Sequence, residues 1–149
     1  MATQRLLLLL FLLLVGGCFK QDKPKISQIL PPDYQDSFSL ARTCRPIHGH
    51  DGSSIVVMAN AVGITDYSQG IYPLPQGSVI AAVESDKADC SEVTGFTLMF
   101  KEAPGYNPTA ADWHWQRLDD QHNVLEDGRI QSCISCHASC VQYDYTCSR

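Results

Sequence analysis

Hydrophobic positions change their rhythm twice along this chain. Residues 6–15 (LLLLLFLLLV) form an unbroken apolar run of ten, preceded by Arg5 and followed by Gly16, Gly17 and Cys18. A bilayer-spanning helix needs about 20 apolar residues, so this run suits the short core of an export signal. Residues 19–36 then lose all regular apolar period and hold three lysines and three prolines. Prolines stiffen such a stretch and keep it out of a sheet, which predicts a tether. From residue 37 the pattern turns to short alternating segments. Residues 54–61 (SIVVMANA) are rich in branched side chains, and 77–84 (GSVIAAVE) follow proline and glycine punctuation. In 95–101 (GFTLMFK), Phe96, Leu98 and Phe100 fall on one side, with Thr97, Met99 and Lys101 on the other. Residues 112–118 (DWHWQRL) place Trp113 and Trp115 on a common face.

Strands this close together, separated by turn signals at Pro104-Gly105, Asn107-Pro108 and Asp127-Gly128, predict an antiparallel sheet. Short helical turns are expected around 108–112 and at the cysteine cluster near the C-terminus. The fold class is therefore α+β, mainly antiparallel β with a few short helices. A chain of 149 residues has room for one such domain. The predicted division is leader 1–17, tether 18–36 and folded domain 37–149.

Val15-Gly16-Gly17-Cys18 resembles a bacterial lipobox, in which the signal peptidase cuts before a cysteine whose thiol takes a diacylglycerol. A plain secretory signal with an incidental cysteine is the alternative. Cys18 is thus the expected lipidation site, and lipid alone the expected anchor. The expected location is a bacterial membrane facing the periplasm. Phe19 is not the aspartate that retains lipoproteins at the inner membrane, which points to the outer one. The formal net charge of −5 argues against nucleic acid as a partner, since that demands a basic face.

Seven cysteines are many for this length, and the chemistry gathers at Cys133-Ile-Ser-Cys136-His137. Two thiols at i and i+3 reach the two vinyl groups of a haem from one turn of backbone. The next residue then presents an imidazole beneath the iron. The motif reads as covalent attachment of one haem c, with Cys133 and Cys136 as thioether positions and His137 as the metal ligand. A redox dithiol would not require the histidine. Zinc would need a second well-spaced pair, which Cys140 and Cys147 supply poorly. In an oxidising compartment the remaining Cys44, Cys90, Cys140 and Cys147 suggest two disulfides. Three pairings are possible; Cys140 with Cys147, closing a short loop after the motif, and Cys44 with Cys90 are preferred.

With that motif near the C-terminus of a small β-rich exported domain, the chain resembles the cytochrome P-460 and cytochrome c′-beta family. Further similarity lies in YPLPQGSVIAAV (72–83), FKEAPGYNPTAADWHW (100–115), QSCISCHASC (131–140) and CRPIHGHDGSSIVVMANA (44–61). The resemblance implies a mostly antiparallel β fold, usually a homodimer, with the haem against the sheet and His137 proximal. It also implies either binding of nitric oxide and carbon monoxide or oxidation of hydroxylamine. Hydroxylamine-oxidising members join a lysine to the porphyrin, on the strand after the YP…G turn. Here that strand reads GSVIAA (77–82) with no lysine. Lys87 and Lys101 are the nearest, and Lys101 is expected to be a solvated strand end.

Side chains able to supply a sixth ligand are Met58, Met99, His48, His50, His114 and His122. The methionines are expected in the core, and the His48–His50 pair in a surface turn. Glu84, Glu102, Arg42 and Arg45 are possible proton-transfer or ion-pairing groups. The Phe96, Leu98 and Phe100 stripe is either plain core or an apolar cap over the iron. Two functions follow: a small-ligand haem protein with an open distal site, or an electron carrier or small oxidoreductase with a protein redox partner.

Overall fold

The computed structural model describes residues 27–147; the leader, Cys18 and the first part of the tether lie outside the described residues. Six strands form one sheet in chain order: β1 (Phe38–Pro46), β2 (Ser54–Asn60), β3 (Val79–Ser85), β4 (Gly95–Lys101), β5 (Trp113–Asp119) and β6 (Val124–Gly128). Every neighbouring pair is antiparallel. The helices are short: α1 (Tyr34–Ser37), α2 (Ile64–Gln69) and α3 (Gln131–His137), with 3-10 turns at Pro108–Ala110 and Ala138–Tyr143. Among the described residues no helix is long and apolar enough to cross a membrane.

The register sorts the side chains into two faces. Val79 pairs with Phe100, Ala81 with Leu98 and Val83 with Phe96; the residues between them, Ile80, Ala82, Met99 and Thr97, point to the opposite face. One face buries Val79, Ala81, Val83, Phe96 and Leu98 against Leu30, Tyr34 and Phe38. The other buries Ile55, Val57, Ala59, Ile80, Met99, Trp113 and Trp115, and α3 packs its Cys133 and Ile134 there. Strand β4 is covered on both faces because it lies inside the sheet, which is why its seven residues are almost all buried.

The folded domain begins before the expected boundary at Ser37. Leu30 and Tyr34 are buried, and the Tyr34 ring meets Phe96 edge-on at 5.4 Å. Backbone N–H of Ile29 donates to Gln116 Oε1 (2.8 Å), and Gln116 Nε2 donates to the Ser27 carbonyl (2.9 Å). The apolar side chains of this segment close a sheet face that would otherwise be wet. The Phe96, Leu98 and Phe100 stripe is plain core on that same face, so it caps nothing on the α3 side.

Candidate haem site

The motif lies on α3, which crosses the sheet face bearing the two tryptophans. Cys133 is half-buried and Cys136 exposed, and both are free thiols. Burial pushes the Cys133 thiol above its ordinary pKa, keeping it protonated rather than an ionised nucleophile. The other four cysteines form Cys44–Cys90 and Cys140–Cys147. The second bond consumes the thiols that a zinc site would have needed.

His137 donates from Nδ1 to the Tyr145 carbonyl at 2.6 Å. A carbonyl only accepts, so the proton sits on Nδ1 and Nε2 carries the lone pair. Burial holds this imidazole below its usual pKa, which favours the neutral, metal-binding form. An outer hydrogen bond of this kind fixes the tautomer and ring orientation of a ligating histidine.

The carbonyl itself is set by a dense local network. Asp144 and Tyr145 both take left-handed backbone angles (φ 54° and 64°). Asp144 accepts Lys101 Nζ at 2.6 and 2.8 Å and the Leu74 N–H at 2.9 Å. Its carbonyl accepts the Trp113 indole N–H at 2.7 Å. The Tyr145 hydroxyl donates to the Thr109 carbonyl at 2.7 Å, and Cys140–Cys147 brackets the turn. Lys101 is therefore no solvated strand end: it is buried, paired with Asp144, and 4.7 Å from the Trp113 ring centroid.

A cavity of about 320 Å³ opens between α3, the β1–β2 loop and the sheet. Its apolar floor comes from Ile55, Val57, Ile80, Ala82 and Met99, and its rim from Cys133, Cys136 and His137. The loop brings His48 and His50 to the wall; His48 remains exposed, as expected of a surface turn, while His50 is partly buried. His50 Nδ1 donates to Glu84 Oε1 at 2.9 Å, and the same oxygen accepts the Thr97 hydroxyl at 2.6 Å. Burial would raise the Glu84 pKa, but the His50 and Thr97 hydrogen bonds outweigh it and hold the carboxyl below its ordinary range. The His50 and His137 ring centroids lie 6.4 Å apart.

The remaining sixth-ligand candidates fall elsewhere. Met58 packs on the opposite sheet face. His114 bridges Glu102 and Asp127 (3.2 and 2.9 Å) and stacks on Tyr106. His122 lies edge-on to Phe96 and Tyr34. Arg42 covers the Tyr67 ring, Arg45 lies on β1, and Lys87 pairs with Glu92 at the surface. Sequence reasoning missed the Glu84–His50–Thr97 cluster and the Tyr145 carbonyl, because each partner comes from a distant strand or turn.

These residues fit a haem. Two free thiols at helical spacing, an adjacent imidazole with its Nε2 lone pair available and a largely apolar cavity form a suitable set. The size lies at the low end of ordinary ligand pockets, about 300–1,000 Å³. The Trp115 indole N–H is buried without a hydrogen-bond partner among the described residues, and its ring lies 6.3 Å from that of His137. A buried donor of this kind is costly unless something accepts from it. In comparison with known families, the model described as Cytochrome P460 matches residues 31–148. A comparison with curated proteins found no match.

Proposed function

The chain belongs to the cytochrome P460 family, which implies a haem c protein, and from that premise we propose that it carries one haem, thioether-linked through Cys133 and Cys136, and binds a small nitrogen or diatomic molecule such as nitric oxide. His137 is the proximal ligand through Nε2. The observation that carries this reading is the 2.6 Å bond from His137 Nδ1 to the Tyr145 carbonyl, which fixes the tautomer a proximal ligand needs. When bound, the haem supplies a redox-active iron with a face for ligands. The protein's own residues orient His137, line the cavity with apolar floor and exclude water. An apolar floor favours neutral diatomics over anions, because it gives an incoming charge nothing in place of lost hydration.

The lysine positions support ligand binding over hydroxylamine oxidation through a porphyrin cross-link. Ala82 stands on the cavity floor, and Lys101 is bound to Asp144. Electron transfer, or a small oxidation at the iron, is the second reading. It is favoured by two side chains on the cavity wall, Met99 and His50, of the kinds that serve as axial ligands.

We place the protein at a bacterial membrane facing the periplasm, anchored by a diacylglyceryl group on Cys18, with the outer membrane favoured; a redox partner protein and a homodimer belong to the same proposal. Mass spectrometry of the mature N-terminus tests the anchor: an unmodified N-terminus at another position overturns it. Haem attachment is tested on a denaturing gel stained for haem. The wild type retains stain and Cys133→Ala/Cys136→Ala loses it. Extraction of haem from the wild type by acidified organic solvent refutes the linkage.

A further inference from the structure

We propose that the buried Lys101–Asp144 pair is a positioning device for the proximal ligand. By locking the turn that carries the Tyr145 carbonyl, it sets how strongly His137 binds the iron and, through that bond, the reduction potential of the haem. This rests on the haem reading above and deepens it, since that reading takes the position of the carbonyl as given.

The carbonyl belongs to a backbone that does not hold itself. Asp144 and Tyr145 are consecutive left-handed residues, at φ 54° and 64°, and neither is glycine. Such conformations persist only where the surroundings over-determine them. Here three sets of contacts do so. Within the turn, Asp144 N–H donates to the Val141 carbonyl and Tyr145 N–H to the Cys140 carbonyl, at 3.1 and 3.0 Å. From the 3-10 turn before β5, the Thr109 carbonyl accepts the Tyr145 hydroxyl. From the sheet, Lys101 Nζ donates to the Asp144 carboxylate at 2.6 Å and Trp113 Nε1 to the Asp144 carbonyl at 2.7 Å.

The sheet contacts tie the turn to a fixed point. Lys101 and Trp113 are register partners across β4 and β5. The Lys101 backbone is held as well: its N–H donates to the Ser78 carbonyl and its carbonyl accepts from Gly77 N–H, at 2.9 and 2.8 Å.

Stability alone is a poor reason for such a pair. Withdrawing two charges from water costs about as much as their attraction returns, and apolar residues of similar volume often serve a core equally well. Lys101 and Asp144 are 8% and 6% exposed, so solvent relieves little of that cost. What an apolar pair lacks is direction. A carboxylate held by an ammonium and by the Leu74 N–H has one orientation, and it fixes the backbone from which the next carbonyl reaches His137.

The consequence at the iron follows from that hydrogen bond. A firm acceptor on Nδ1–H raises the basicity of a ligating imidazole and fixes its ring. A more basic imidazole favours ferric over ferrous iron and lowers the potential, which second-shell hydrogen bonding helps to set. Loss of an outer partner weakens metal binding by about 10–100-fold. A loosened partner belongs at the lower end, and about tenfold borne by the ferric state raises a one-electron potential by about 59 mV.

The sign separates positioning from charge. Lys101→Met removes a positive charge, and through space alone that lowers the potential, because a nearby cation favours the ferrous state. Through the turn, the same substitution raises it.

The experiment uses the holoprotein, with potentials from spectroelectrochemistry and the iron–imidazole stretch of the ferrous state from resonance Raman spectra. Lys101→Met is expected to raise the potential by about 59 mV and to move the stretch to lower frequency. Asp144→Asn, which keeps an acceptor for Leu74, lowers the stretch by less. Lys87→Met removes a surface lysine paired with Glu92 and changes neither quantity. A Lys101→Met protein that loses stability but keeps the wild-type stretch and potential makes the pair merely structural and overturns the proposal. A potential that falls overturns it too. If Lys101→Met does not fold, the Asp144→Asn stretch decides, and an unchanged band refutes positioning. Haem lost from the wild type on the denaturing gel refutes the thioether linkage but not this proposal, which is read from the native protein. A native protein without an iron–imidazole stretch refutes His137 as ligand and the proposal together.

Discussion

Removing the Lys101 ammonium while leaving Asp144 in place probes how firmly the C-terminal turn is held. The pair is almost fully withdrawn from water, with side-chain exposures of 10% and 4% and an Nζ–Oδ1 distance of 2.6 Å. Lys101→Met keeps most of the stem volume and its contact with Trp113 but strands the carboxylate. Breaking a buried pair this way costs about 3–5 kcal/mol, because one charge loses its compensation. The Leu74 N–H still donates to Asp144 Oδ2, so the lower end, about 3 kcal/mol, is expected. Asp144→Asn keeps an acceptor for Leu74 and leaves the ammonium over the Trp113 face, a contact worth about 0.5–2 kcal/mol; it should cost less. The double variant carries no buried charge and should recover part of the loss. Urea unfolding of the four proteins, followed by circular dichroism, closes the cycle. A Lys101→Met cost below about 1 kcal/mol, or a cycle without coupling, would refute a buried, mutually dependent pair.

Two further tests address stability away from the haem. Burial pushes the Tyr67 phenol up to about 12, so its contribution is complete below the unfolded value near 10 and is lost as pH rises through 12. Wild type should lose on the order of 2 kcal/mol across that window, and Tyr67→Phe should flatten this alkaline limb in denaturant titrations; identical limbs would contradict the assignment. Cys44→Ala/Cys90→Ala opens a bond with a sequence separation of 46 and should lower stability by about 2–4 kcal/mol. Unchanged urea midpoints would mean that the bond constrains little.

The sheet interior was legible because β4 and β5 carry their alternation in local sequence: a two-residue period needs no knowledge of neighbours. Both edges were not. Strand β1 is polar and irregular (FSLARTCRP), with two register shifts against β2. The short β6 strand (VLEDG) is never fully buried. Their pairing comes from the partner's backbone, which no side-chain pattern announces. The motif and both disulfide pairings were readable for similar reasons, since spacing and the count of remaining thiols limit the options. What failed was long-range electrostatics. His50 reads as a turn residue until β3 brings Glu84 beside it, 34 positions later. Lys101 reads as solvated until Asp144 folds back across 43 positions. The tether boundary failed because two proline-flanked apolar residues, Ile29 and Leu30, are too few to make a period, yet they are enough to close a face.

Four of the seven cysteines crowd into the last turns of the chain: Cys133, Cys136, Cys140 and Cys147. Under the proposed thioether attachment, Cys133 and Cys136 must remain thiols until they meet the porphyrin, while Cys140 and Cys147 are oxidised to each other. A bond between Cys136 and Cys140 would block thioether formation and release the turn that aims Tyr145 at His137. Maturation is thus a sorting problem among near neighbours, which the native turn helps to solve by holding Cys140 and Cys147 together. Reductant supplied during assembly is useful only while it spares that bond, so redox conditions for producing the holoprotein should have an optimum rather than a limit.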